Sequence, residues 1–285
     1  MTPAVAGGPR RFSHSDFSAG ALASAKRSAT VSVCLPARDE AATIGRIVGT
    51  IREDLVERVH LVDEVLVADD RSTDATAAAA AGAGATVVAV TAAAGSQWGK
   101  GAAMATALAA SSGDLVVFLD ADVEGFSSHF VVGLLGPLLR ERDIGFVKAT
   151  YQRPLAGVRG EGGRVTELTA KPLLALLRPD LAWFTQPLAG EIAARRPVLG
   201  GLSLPPDYGV DIALLIDVAG RIGLGAMAEV DLGERRHRNR PLSELAPQAR
   251  SVAKAILERS GLGTGALGRR VATVHATRFQ TTRAG

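Results

Sequence analysis

The chain has 285 residues, 47% of them apolar and 21% charged, a size and composition that suit one large soluble α/β domain or two closely joined halves and argue against an array of domains. Its 32 basic and 29 acidic residues leave a net charge of only +3, so the total makes no case for a polyanionic partner. Cys34 is the only cysteine, which excludes an internal disulfide and a cysteine-ligated zinc site and fits a reducing, cytoplasmic compartment.

The first 28 residues carry Arg10, Arg11, Lys26 and Arg27 among Ser, Ala and Gly, lack the apolar run of a secretory signal, and read as a flexible tail. Residues 31–35 form an apolar run ended by Pro36, a buried strand whose carboxyl end carries Ala37, Arg38, Asp39 and Glu40. Ile44, Ile47, Val48 and Ile51 then predict a helix over 43–55. Residues 64–68, EVLVA, read as a second strand ending at Asp69, Asp70, Arg71 and Ser72, with Ser72 or Thr73 capping the next helix and Asp74 favoured by its dipole. An Ala-rich helix, a strand over 86–90, a polar loop over 95–101, a helix over 102–111 and a strand over 115–119 follow. The uncharged run 75–98 is long enough to span a bilayer, but Ala, Gly and Thr gain little in lipid, so a helix and a strand are the better reading and no membrane insertion is expected.

Uniformly apolar strands alternating with helices predict a mostly parallel, Rossmann-like sheet covered on both faces, with right-handed crossovers. Ligands in such sheets bind beyond the carboxyl ends of the strands, which places residues 37–40, 69–72 and 120–122 on one rim. The later half is less regular: a strand over 145–150, a Gly-rich loop over 157–163, a helix near 165–177, a strand over 227–232, a basic turn from Arg235 to Pro241, a helix over 242–260 and a frayed tail. The expected organisation is a tail (1–28), a nucleotide-sugar half (29–150), an acceptor half (151–241) and a C-terminal helix with its tail (242–285).

Asp120 and Asp122 follow the apolar run LVVFL, and hard carboxylate oxygens where a strand ends suit Mg²⁺ or Mn²⁺ bridging a diphosphate. A solvated turn or a helix cap explains the same residues equally well. Asp69 and Asp70 supply a second acidic rim, where a carboxylate could accept the imide N–H of a uracil or merely close a turn. Without further context the cluster at 235–240 reads as a solvated basic turn, and Lys148 and Trp183 read as structural.

The motifs P-A-R-D-E at 36–40, A-D-D-R-S-T-D at 68–74, G-K-G at 99–101 and F-L-D-A-D at 118–122 occur in the order and spacing of the GT-A glycosyltransferase fold, which the chain resembles. G-G-R-V-T-E-L at 162–168, Q-P-L-A-G-E at 186–191, Y-G-V-D at 208–211 and H-R-N-R-P at 237–241 narrow the resemblance to the glucosyl-3-phosphoglycerate synthase family over residues 30–245. The resemblance implies a Mg²⁺-dependent homodimer that moves glucose, with retained anomeric configuration, from UDP-glucose to the 2-hydroxyl of 3-phosphoglycerate. It implies that Pro36, Ala37, Arg38, Glu40, Asp70, Ser72, Lys100, Asp120 and Ala121 take the nucleotide sugar, and that Asp122 and His237 hold the metal. It further implies that Gly163, Arg164, Thr166, Asn239 and Arg240 take the acceptor, and that the Leu188 carbonyl lies near the anomeric carbon. A guanidinium and helix-N-terminal amides match a phosphate and a carboxylate on chemical grounds as well.

Asp211 stands where this family is expected to carry a glutamate on the sugar hydroxyls, which leaves GDP-mannose or use of both donors open and makes a mannosyl-3-phosphoglycerate synthase the alternative. A phosphatase of the haloacid dehalogenase type is more distant, because Glu124 stands where its Thr or Val would be and the motif follows three strands. A nucleic-acid-binding module would need aromatic platforms or a recognition helix, and neither is visible.

Overall fold

The computed structural model describes residues 8–91, 99–152, 163–235 and 242–263. In chain order the strands are β1 (Arg10–Ser13), β2 (Val31–Ala37), β3 (Glu64–Asp69), β4 (Thr86–Ala89), β5 (Leu115–Phe118), β6 (Phe146–Gln152), β7 (Ile192–Arg195) and β8 (Met227–Glu234). They form one sheet in the order β1-β8-β6-β7-β5-β2-β3-β4. All neighbours run parallel except β7, which is antiparallel to both β5 and β6.

The central strands β2, β3 and β5 are buried on both faces because each sends apolar side chains to either side. Val31, Val33 and Leu35 of β2 pack with α2 (Ile44–Ile51) and α5 (His129–Arg140) on one side. Cys34, Leu66 and Phe118 face α4 (Lys100–Ala110), α8 (Val210–Ile222) and α9 (Leu242–Arg259) on the other. Helix α2 shows why its sequence folds so: Ile44, Ile47, Val48 and Ile51 occupy one face and are fully buried, and the chain continues beyond them as a wider π turn, Arg52–Arg58.

The expectation of a tail over residues 1–28 is corrected for the described part. Arg10–Ser13 pairs in parallel with β8, and a helix, α1 (Ala19–Lys26), follows. Leu22 fills the core, and Lys26 Nζ lies 2.6 Å from Asp63 Oδ2 while also donating to the carbonyls of His60 and Leu61. Asp63 in turn accepts from the Val31 amide at 2.7 Å, so the helix is tied to the start of β2. Further differences are small: α4 starts at Lys100, and the helix expected near 165 passes through a π turn, Thr166–Ala170, into α6 (Lys171–Leu177). Most of the polar loop over 95–101, nearly all of the Gly-rich loop and the basic turn after Arg235 lie outside the described residues.

Cys34 is fully buried, its Sγ 3.9 Å from the Ala107 carbonyl, and burial pushes its thiol up to about 12. At pH 8 about one such thiol in 10⁴ is ionised. A thiol reagent such as dithiobis(nitrobenzoic acid) should therefore find no reactive group in the native protein and one per chain in guanidinium; rapid labelling of the native protein would refute this burial.

Candidate active site

The carboxyl ends of β2, β3 and β5 open on a cavity of about 340 Å³. Among the residues singled out from the sequence, Pro36, Ala37, Arg38, Glu40, Asp70, Lys100, Asp120, Ala121, Asp122, Gly163, Arg164, Thr166, Leu188 and Asp211 line it. Ser72 does not; its Oγ accepts from the Asp39 amide at 3.0 Å and helps to shape the rim. His237, Asn239 and Arg240 lie outside the described residues.

The β2 and β3 loops clasp each other. Asp39 and Arg71 adopt left-handed backbone, with φ of 54° and 56°, which turns both chains sharply at the strand ends. Thr73 donates its amide to Asp39 Oδ1 at 2.7 Å, Ala41 donates to Asp74 Oδ2 at 3.1 Å, and the Glu40 amide donates to Thr76 Oγ1 at 2.8 Å. The Thr76 hydroxyl also bonds Asp74, and this bond holds the Asp74 carboxyl below its ordinary range. Asp74 thus acts as the acidic group at the start of α3 (Thr76–Gly82), accepting from the Thr76 amide at 2.9 Å, and it also fixes the loop carrying Glu40.

The floor of the cavity is a network of charges. Lys100, at the start of α4, bridges Asp120 Oδ1 at 2.8 Å and Asp211 Oδ2 at 2.9 Å. Burial works to strip its proton, but the two carboxylates outweigh burial and raise its pKa above that of an ordinary lysine, so it stays a cation. Arg235, only 3% exposed, reaches Asp120 Oδ2 at 2.9 Å, Asp122 Oδ1 at 2.8 Å and Glu191 Oε1 at 3.0 Å. Tyr151 completes the group, donating its hydroxyl to Glu191 Oε2 at 2.8 Å and receiving Arg235 Nη1 at 3.3 Å.

The same group tests the metal. Carboxylates on β5's carboxyl end already attract a cationic guanidinium to a shared point, and their hard oxygens suit Mg²⁺ or Mn²⁺. No set of three His, Cys, Asp or Glu closes a metal shell among the described residues. That fits an ion held by one carboxylate and completed by substrate oxygens, as Mg²⁺ commonly is.

A Cβ at position 190 would meet Asp120 Oδ1 and Lys100 Nζ, so glycine there leaves room for their ion pair. G190A is expected to separate this ion pair and to lower activity by about tenfold or more through misplacement of the two groups. Unchanged turnover by G190A would show that the contact is slack.

A family model described as glycosyl transferase family 2 matches residues 32–164. The glucosyl-3-phosphoglycerate synthase of Mycolicibacterium paratuberculosis is 45% identical over 270 residues, covering 91% of this chain and 81% of that protein. The chain belongs to the glucosyl-3-phosphoglycerate synthase family. The member from Mycobacterium tuberculosis is 47% identical over 259 residues, covering 87% of this chain and 79% of its own. A crystal structure of that synthase with Mn²⁺, UDP-glucose and phosphoglyceric acid superposes with a TM-score of 0.81 at 44% identity, covering 89% of this chain and 88% of that one. The mannosyl-3-phosphoglycerate synthase of Rubrobacter xylanophilus superposes with a TM-score of 0.83 at 43% identity, covering 88% and 80%. The mostly parallel sheet is thus that of a GT-A glycosyltransferase, and the phosphatase reading falls away.

Sequence reasoning missed Arg235, Glu191 and Tyr151 as members of the charged floor, and Tyr208, Leu245, Gln248 and Val252 as cavity wall. Glu191 lay inside a recognised motif, and its position directly before the short strand segment IAAR was the available signal.

Proposed function

We propose that this chain transfers glucose from UDP-glucose to the 2-hydroxyl of 3-phosphoglycerate with retained anomeric configuration. The observation that carries the reading is the convergence of Lys100, Asp120, Asp122, Asp211 and Arg235 on one cavity that also exposes Arg164. The mycobacterial relatives of 44–47% identity carry the same named activity. Residues 29–150 serve the nucleotide sugar and residues 151–241 the acceptor, acting in a cytoplasmic homodimer. Large apolar side chains exposed at Leu168, Leu176 and Trp183 support an assembly, and light scattering at twice the monomer mass is its check. No helix among the described residues is long and apolar enough to cross a membrane.

In this mechanism Pro36, Ala37, Arg38, Glu40, Asp70 and Ala121 hold the nucleotide, and the fixed Asp39–Thr73 clasp keeps that surface rigid before the donor arrives. Asp122, with His237 by family resemblance, would hold a divalent ion, which when bound neutralises charge on the departing diphosphate. Lys100 faces the same leaving group as a permanent cation. Arg164 and Thr166, beside Gly163, meet the acceptor's phosphate and carboxylate, a role the family resemblance extends to Asn239 and Arg240. Asp120 lies beside the sugar, and Asp211, kept in place by Lys100, accepts from its hydroxyls. The Leu188 carbonyl stabilises positive charge growing at the anomeric carbon, and the leaving phosphate oxygen accepts the acceptor proton.

A panel of UDP-glucose and GDP-mannose against 3-phosphoglycerate, with Mg²⁺ or a chelator and with the product anomer read by NMR, tests the reading. The expected result is an α-glucoside formed only with the metal. Preference for GDP-mannose would instead support the mannosyl reading, which the Rubrobacter likeness and the shorter Asp211 favour.

A further inference from the structure

Lys148, on β6, is completely buried, an expensive place for an ammonium group, and the core around it has no packing need for a charge. Its Nζ donates to the Ala189 carbonyl at 2.8 Å. That carbonyl lies between Leu188, which lines the cavity, and Gly190, where a side-chain Cβ would meet Asp120 Oδ1 and Lys100 Nζ. Backbone bonds also fasten the segment, Ala189 N to the Gln186 carbonyl at 3.0 Å and Ala149 N to the Glu191 carbonyl at 3.0 Å.

We infer that Lys148 is a positioning residue for sugar transfer: its ammonium group, hydrogen-bonded to the Ala189 carbonyl, sets the orientation of the Leu188–Gly190 backbone that faces the anomeric carbon. The inference rests on the proposed glucosyl transfer. Lys148 is not among the residues lining the cavity, so it acts through the peptide planes it holds. A straight, uncharged side chain of similar length would fill the same slot and leave the carbonyl unheld. Burial lowers its pKa to about 8, the nearby Lys100 cation adds to the fall, and Asp211, Glu191 and Asp120 oppose it.

The test is K148M, which preserves volume, measured alongside wild type for kcat, UDP affinity by calorimetry and melting temperature. The expected result is a kcat lower by about tenfold or more, as misplaced reacting groups give, with UDP affinity within about twofold and no fall in melting temperature. K148R, which keeps a charged donor, should recover part of the loss. A K148M kcat within about twofold of wild type overturns the inference, and so does a loss matched by equal losses of UDP affinity and stability, which would mark general packing. If K148M does not fold, K148Q, with a donor on a shorter stem, is judged by the same measures. Absence of glucosyl transfer by the wild type would sink the proposed function, whereas wild-type kcat in K148M sinks this inference alone.

Discussion

Replacing Asp122 by alanine should lower kcat by about a thousandfold or more, the scale expected when a group that holds the catalytic metal is removed. The side chain is 26% exposed at the cavity wall and bonds Arg235 through one oxygen, so its loss leaves the sheet and both core layers intact. The defect should therefore appear in chemistry and metal-dependent binding, with little change in melting temperature. Calorimetry of UDP with and without Mg²⁺ separates the two: wild type should bind more tightly with the ion, and D122A should show no such gain. Near-normal turnover by D122A would remove Asp122 from the metal site.

Loss of the Arg235 side chain should damage both stability and activity. Its guanidinium is the shared partner of Asp120, Asp122 and Glu191, and it is 3% exposed. Breaking a buried ion cluster by deleting one partner costs about 3–5 kcal/mol, and here the fully buried Glu191 would lose its cation while Asp120 keeps Lys100. R235A is thus expected to melt several degrees lower and to lose about a hundredfold in kcat as Asp120 and Asp122 repel each other. Millimolar Mg²⁺ should raise the melting temperature of R235A more than that of wild type, since the freed carboxylates offer an ion an additional place. R235K should fall between the two, because one ammonium lacks the planar fork that spans three carboxylates. A melting temperature of R235A equal to wild type would show that water already screens the cluster.

Much of the nucleotide-facing half could be read from the chain, because the apolar runs at β2, β3 and β5 are long enough to declare themselves and each ends in polar residues. The rule that ligands sit at strand carboxyl ends then brought Glu40, Asp70 and Asp122 to one cavity. What escaped was decided by distant partners. β1, RRFS, has no apolar period and is held by its backbone pairing with β8, and α1 buries only Leu22 and Lys26. The reversed direction of β7 is invisible in four residues, IAAR, whose composition suits either orientation. Arg235 sits in a run of arginines that reads as a solvated turn, and only the carboxylates arriving from β5's end and from Glu191 draw it inward. Lys148 read as structural because nothing near it in sequence reveals the carbonyl it meets.

The two margins of the sheet, β1 and β4, are each four residues long, and β1 presents two arginines while β4 begins with an exposed threonine. So short a row of open amide and carbonyl groups is a poor template for a foreign strand, and the charge on β1 repels another copy. Trimming the chain past residue 13 would strip this seal from β8, an eight-residue strand that leads into Arg235, and the shortened protein would be expected to clump through the bared edge as well as lose catalytic alignment.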